Sequence, residues 1–302
     1  MMFFCILVVF FVEFVIGKTY SSLVHDHAIK FIDLIRLKRT SIIGGNSYLT
    51  WLLAVLIPSV SVFFIYVFLS NIHPIFGSMW DILVLSSMVT FVSIIREIKN
   101  DIHLLNNGKP ELGEIIPANE DDKPADNQSC TDYTKNLFCN HLLSCFTSVF
   151  NILFFYIIFP GASGSVFYFI ASNYADRLKS DDKHPFVNRA IWLNNLLEWI
   201  PARLFALSLA LGSHFDASKG IWRNSHKSFG NSNKKLIFET AIRALAQTER
   251  SVKQSRQKDN LELIIDKVGS AGIFEMLIKL VSRALCIWVA LIGLCTLILF
   301  IN

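Results

Sequence analysis

Residues 284–301, ALCIWVALIGLCTLILFI, carry no charge along their whole length. A run of about 18 such residues is long enough for a helix to cross the hydrocarbon core of a bilayer, which is about 30 Å thick. Inside that core every backbone N–H and C=O must find its partner within the chain, so irregular structure facing lipid is excluded. The same length test is met by residues 49–69 (LTWLLAVLIPSVSVFFIYVFL) and by 142–159 (LLSCFTSVFNILFFYIIF). Residues 79–95 pass with one acid near the edge, Asp81.

Composition agrees. Of the 302 residues 17% are charged, against about 25% in average soluble domains, and the chain holds 26 Phe with a mean hydropathy of +0.46. An ordinary soluble domain is excluded. The N-terminal run MMFFCILVVFFVEFVIG has the length of a secretory signal, but no Lys or Arg precedes its apolar part and no small-residue cleavage site follows it. It is expected to stay as a short spanning helix over about 3–16. After Pro160 the sequence PGASG predicts a tight turn, with 165–175 returning as the second arm of a hairpin.

Orientation follows from the excess of Lys and Arg that cytoplasmic loops retain. Lys18, Lys30, Arg36, Lys38 and Arg39 lie within 17–48, whereas 70–78 (SNIHPIFGS) has neither residue type. Counting spans from there puts 17–48 and 96–141 inside, 70–78 and the PGASG turn outside, and 176–283 inside again. That last stretch holds 18 of the 28 basic residues, so parity and charge agree.

The domain organisation expected is a membrane region over 1–175, a basic cytoplasmic or interfacial helical region over 176–283, and a final transmembrane helix over 284–301. The loop 96–141, with nine acids against five bases, is expected to be flexible and solvated. Residues 234–258 place Ile237, Ala241, Leu245, Thr248 and Val252 at helical spacing among Arg243, Arg250, Lys253 and Arg256. This predicts an amphipathic basic helix, packed on its own domain or laid on anionic headgroups. No nucleic-acid partner is expected. Cys5, Cys286 and Cys295 sit in apolar runs and Cys130, Cys139 and Cys145 lack C-x-x-C spacing, so the thiols are read as inert. His25-Asp-His27 could suggest a metal, but without further ligands no metal site is assigned. No P-loop, nucleophile elbow or zinc-hydrolase motif occurs, so no cofactor is expected.

The segment 194–211, NNLLEWIPARLFALSLAL, is apolar in bulk yet carries Asn194, Asn195, Glu198, Pro201 and Arg203. In a helix Asn194 and Glu198 are i, i+4 neighbours and Trp199 faces Arg203 in the same way. Pro201 is expected to kink or interrupt the helix and to free a carbonyl that Arg203 or a neighbour would satisfy. A charge at the bilayer centre costs roughly 2.5 to 3.5 kcal/mol on insertion scales. The segment therefore either rests at the interface, anchored by Trp199 and Arg203, or dips in with its polar groups facing a cavity. Glu13, in the first apolar run, and Asp176, after the hairpin, are further acids for such a cavity.

LLEWIPARLFAL resembles the N/D-W-[IV]-P-x-R-L signature shared by the CbiB/CobD cobalamin-biosynthesis proteins and the AmpE proteins. Gly164 to Tyr168 followed by Asn173-Tyr-Ala-Asp176 is similar to that family's Gly-rich turn, tyrosine and N-x-x-D. FVEFVIGK and His25-Asp-His27 resemble the AmpE opening. The synthase branch has a G-D-P segment after its first helix, where this chain has Lys18-Thr19-Tyr20. It has R-L-D-D-L-L-N before the proline, where this chain has Trp192-Leu-Asn194-Asn195-Leu-Leu-Glu198. Two carboxylates that could hold a magnesium nucleotide or act as base have become amides.

The AmpE branch, with a short basic cytoplasmic domain and a final spanning helix, is the closer likeness. It implies a bacterial inner-membrane, multi-pass modulator of β-lactamase induction and peptidoglycan recycling, linked in antibiotic response and signalling to a muropeptide amidase. The resulting expectation is an all-α, multi-pass transmembrane helical bundle with an interrupted amphipathic or re-entrant helix and a small helical cytoplasmic domain. Its cytoplasm-facing pocket, formed by Glu13, Asn173, Asp176, Asn195, Glu198 and Arg203, would bind a muropeptide or other small molecule. The alternatives are an ATP-dependent adenosylcobinamide(-phosphate) synthase of the CbiB/CobD kind and a scaffold without catalysis. The missing catalytic motifs favour a regulator over an enzyme.

Overall fold

The computed structural model describes residues 2–16, 30–31, 33, 47–106, 128–179, 187–212, 232–248 and 261–301. Among the described residues every regular element is a helix. In chain order these are α1 (Met2–Ile16), α2 (Ser47–Ile72), α3 (Pro74–Met88), α4 (Phe91–Asn106) and α5 (Gln128–Cys145). A π-helical turn, Phe146–Phe150, carries α5 into α6 (Asn151–Ile158). Then come α7 (Ser163–Lys179), α8 (Val187–Leu197), α9 (Trp199–Leu211), α10 (Ser232–Thr248), α11 (Leu261–Val268) and α12 (Ser270–Ile301).

Among the described residues four stretches are long and apolar enough to cross a membrane: Trp51–Ile72, Pro74–Asn106, Tyr133–Ile158 and Ser270–Ile298. They overlap the four long apolar runs of the sequence. The helices nevertheless outrun those apolar stretches. α4 reaches Asn106 and α5 starts at Gln128, so both ends of the expected loop 96–141 are helical. α4 continues because Phe91, Ile94 and Ile98 recur at helical spacing and are buried, while Arg96, Glu97 and Lys99 face out. Its far end is tied to α5, His141 Nε2 lying 2.7 Å from Asp101 Oδ2. The rest of that loop, the His25-Asp-His27 motif and residues 249–260 lie outside the described residues.

Two carboxylates close breaks between helices. At Val89 the backbone turns extended, ending α3, and the new N-terminus of α4 needs acceptors for its first N–H groups. Glu13 of α1 supplies one, Oε1 accepting from Val92 N at 2.7 Å. In the turn between α6 and α7, Gly161 has φ +64, a left-handed conformation open to glycine. Asp81 of α3 pins this turn by accepting from Ala162 N at 2.8 Å. Directly beyond it, a Cβ on Gly164 would strike Phe155 O and the Phe159 ring, so the two arms of the hairpin approach at a distance only glycine allows.

The centre is aromatic. Phe150 of the π-turn lies 4.2 Å from Phe205 of α9 and 5.7 Å from Trp288 of α12, centroid to centroid. α9 packs on α12 and, most extensively, on α10. Of the two placements expected for the basic helix over 234–258, packing on the rest of the molecule is the one seen: from Leu236 to Ala246 most residues of α10 are buried. Small residues make that possible, with Ala202, Ala206 and Ala210 on α9 and Ala241, Ala244 and Ala246 on α10 all inside the core. Outward, Ile57, Phe64 and Phe68 of α2 and Leu291, Leu294 and Leu297 of α12 are exposed. Apolar faces of this extent suit lipid rather than water.

Candidate functional site

α8 and α9 form one nearly continuous helical rod with a single turn residue between them, Glu198. Glu198 N donates to Asn194 O at 3.0 Å and Ala202 N donates to Glu198 O at 2.9 Å, so the helical pattern runs through the turn. The interruption at Glu198 lies three residues before Pro201, beside Leu197, whose carbonyl loses its i+4 donor to the proline. Pro201 is the third residue of α9, in the first turn, where proline is tolerated. Arg203 does not serve the carbonyl that Pro201 leaves without its usual donor. Its Nη1 donates to Trp199 O at 2.9 Å and its guanidinium lies 3.9 Å from the Trp199 ring centroid.

Glu198 is 3% exposed and lies at the meeting of three helices. Its Oε1 accepts from Tyr168 Oη at 3.0 Å and from Asn194 Nδ2 at 2.9 Å. Tyr168 Oη in turn accepts from Asn151 Nδ2 at 2.6 Å. A buried polar chain thus runs from α6 through α7 to the α8–α9 turn. Both donors to Glu198 are neutral, and no Lys or Arg forms an ion pair with it among the described residues. Burial pushes its carboxyl above the usual range, and the Tyr168 and Asn194 hydrogen bonds and the charge of Lys234 oppose that shift.

Glu198 borders a cavity of about 230 Å³. The π-turn and the end of α5 give Leu143, Phe146 and Thr147, α7 gives Ser172 and Asp176, α8 gives Ile191, Asn194 and Asn195, and α10 gives Lys234. Asn194 is 8% exposed, and its Oδ1 has no hydrogen-bond partner among the described residues. α10 is fastened at the rim by Asn233 Nδ2, which donates to Asn195 O at 2.9 Å. A π-turn in such a wall is notable because single π-turns gather at functional sites.

Of the residues expected to form a pocket, Asp176, Asn195 and Glu198 line this cavity. Glu13, Asn173 and Arg203 do not. Glu13 holds the N-terminus of α4, Asn173 Nδ2 donates to Phe169 O of its own helix at 2.8 Å, and Arg203 stays with Trp199. Sequence reasoning missed Lys234, Ser172 and Thr147. Lys234 opens the stretch read as an amphipathic basic helix, and nothing in its local pattern marks it as belonging to a wall built by α7 and α8. Asn194 was legible through its i, i+4 relation to Glu198. Comparison with family models, curated proteins and solved structures finds no match for this chain.

Proposed function

We propose that the chain is an AmpE-like membrane regulator that binds a small polar ligand in the Glu198 cavity. In this reading it sits in a bacterial inner membrane with that cavity toward the cytoplasm, and it takes part in β-lactamase induction and peptidoglycan recycling. The observation that carries the ligand-binding part is the composition of the cavity wall. Among the described residues, a carboxylate at 3% exposure meets neutral donors only, beside an amide oxygen with no partner. Burying such groups without compensation costs several kcal/mol, and a ligand offering donors would offset that cost. The output route is α10, which contributes Lys234 to the wall and is fastened to Asn195, so occupancy is felt in the basic region.

The WIPARL core and the polar residues of α7 are common to both branches, and the amides at 194 and 195 support the regulator over the synthase. Asn194 and Asn195 offer no carboxylate pair for a magnesium nucleotide at the place where the synthase-like run has one. For Glu13 and Arg203, which serve helix ends and neighbours, the scaffold role is sufficient.

Thermal-shift screening of the purified chain tests this. Muropeptides and their small constituents are expected to raise Tm, with the effect lost in Glu198→Gln. Stabilisation by a corrinoid with magnesium ATP would promote the synthase, and a deletion strain with unchanged β-lactam response would remove the regulatory assignment.

A further inference from the structure

We propose that the Glu198 cavity takes a small zwitterion of amino-acid size, its primary ammonium held by Glu198 and Asn194 and its anionic group by Lys234. The assignment rests on the ligand-binding reading above and narrows its chemistry. Size comes first. At about 230 Å³ the cavity lies below the roughly 300–1,000 Å³ of pockets for drug-sized ligands. A sugar carrying a peptide does not fit inside; a single amino acid, or one terminus of something larger, does.

Charge gives the polarity of the occupant. Glu198 Oε1 already accepts from Tyr168 and Asn194, but an ionised carboxylate offers about four lone-pair sites and neither donor is charged. Next to it, Asn194 Oδ1 is a buried acceptor with no partner among the described residues. Two buried acceptors, one anionic, call for a compact donor with several N–H groups and a positive charge, which is the description of an ammonium. A purely anionic ligand would meet Glu198 as a like charge.

Lys234 answers from another wall. It is exposed, it lines the cavity, and its charge is felt at Glu198, yet no ion pair holds it among the described residues. Its neighbour Lys235 lies 3.8 Å from Glu239 instead, on the i, i+4 step. Lys234 is therefore available to a carboxylate or phosphate entering with the ammonium. Asp176, also in the wall, disfavours ligands with a second negative charge. Leu143, Phe146 and Ile191 complete an apolar side that fits a short aliphatic group and no further polar one.

An ammonium beside an anion has two sources, a free amino acid and an ethanolamine phosphate headgroup, and the arms of one experiment separate them. The full chain is placed in nanodiscs of phosphatidylcholine, whose quaternary ammonium has no N–H to donate. Tm is then followed against L-alanine, D-alanine, O-phosphoethanolamine, ethylamine and propionate, and again in nanodiscs containing phosphatidylethanolamine. The expected result is stabilisation by at least one zwitterion and none by ethylamine or propionate at equal concentration. Alanine activity identifies a free amino acid. Phosphoethanolamine activity, with a matching rise in phosphatidylethanolamine discs, identifies the headgroup. Glu198→Gln should abolish the shift, and Lys234→Gln, at an exposed position that leaves the fold intact, should weaken binding at least tenfold. Stabilisation by muropeptides but by no zwitterion, lost in Lys234→Gln, would overturn this proposal and leave the ligand site standing. No stabilisation by any of these compounds would overturn both.

Discussion

Glu13, Asp81 and Glu198 share one chemistry and have three neighbourhoods. Glu13 and Asp81 each accept from a backbone N–H at the start of a helix or turn, satisfying donors that helix geometry leaves unpaired. Glu198 accepts from side chains and borders open space. Replacing Glu13 or Asp81 by Leu should lower stability by about 0.5–2 kcal/mol, the range for a lost N-terminal cap, and leave ligand shifts unchanged in thermal melts. Glu198→Gln should do the reverse, removing ligand shifts while changing stability in a pH-dependent way. Because burial raises the Glu198 pKa, the folded chain holds that proton more tightly than the unfolded chain. This favours folding at low pH and is lost as pH rises through the raised value. Gln does not titrate, so the Tm difference, variant minus parent, should grow as pH rises from the usual carboxylate range toward and past neutrality. A difference flat across that interval would place the carboxyl in an ordinary, solvated setting.

At the scale of elements, the hairpin of α6 and α7 brings Asn151 and Tyr168 together and so fixes the far end of the polar chain. Its tightness depends on Gly164, whose missing side chain lets α7 lie against Phe155 O. Gly164→Ala should cost about 1–3 kcal/mol, as overpacking does, and should weaken ligand binding as well, since Tyr168 would move away from Glu198. Gly77→Ala serves as the comparison, its Cβ meeting the Ser70 and Tyr66 side chains instead; it should leave binding at parental strength in the same titration. The pairing of α9 with α10 shows the limit of periodicity. A stripe of Ile237, Ala241 and Leu245 is compatible with a helix resting on headgroups and with one inside a bundle. What decides between them is the facing surface: Ala202, Ala206 and Ala210 leave room for α10 to come close.

For the whole molecule, the arrangement of Lys and Arg assigns 70–78 to one side of the membrane and 176–283 to the other. In a cysteine-free background, Asn71→Cys and Asn188→Cys, both at exposed positions, should separate cleanly under a membrane-impermeant maleimide. The first should label in intact cells and the second only after permeabilisation; labelling of both in intact cells would overturn the topology. The sequence by itself determined the helical class, the four long apolar stretches and the i, i+4 pairing of Asn194 with Glu198. Those depend on local chemistry: bilayer thickness, backbone hydrogen bonding and the 3.6-residue repeat. Only the tertiary structure decided that Glu13 serves the start of α4 and that Lys234 joins the cavity wall. Each of those depends on which helix lies alongside, and residues far apart in sequence meet there without any local pattern that announces it.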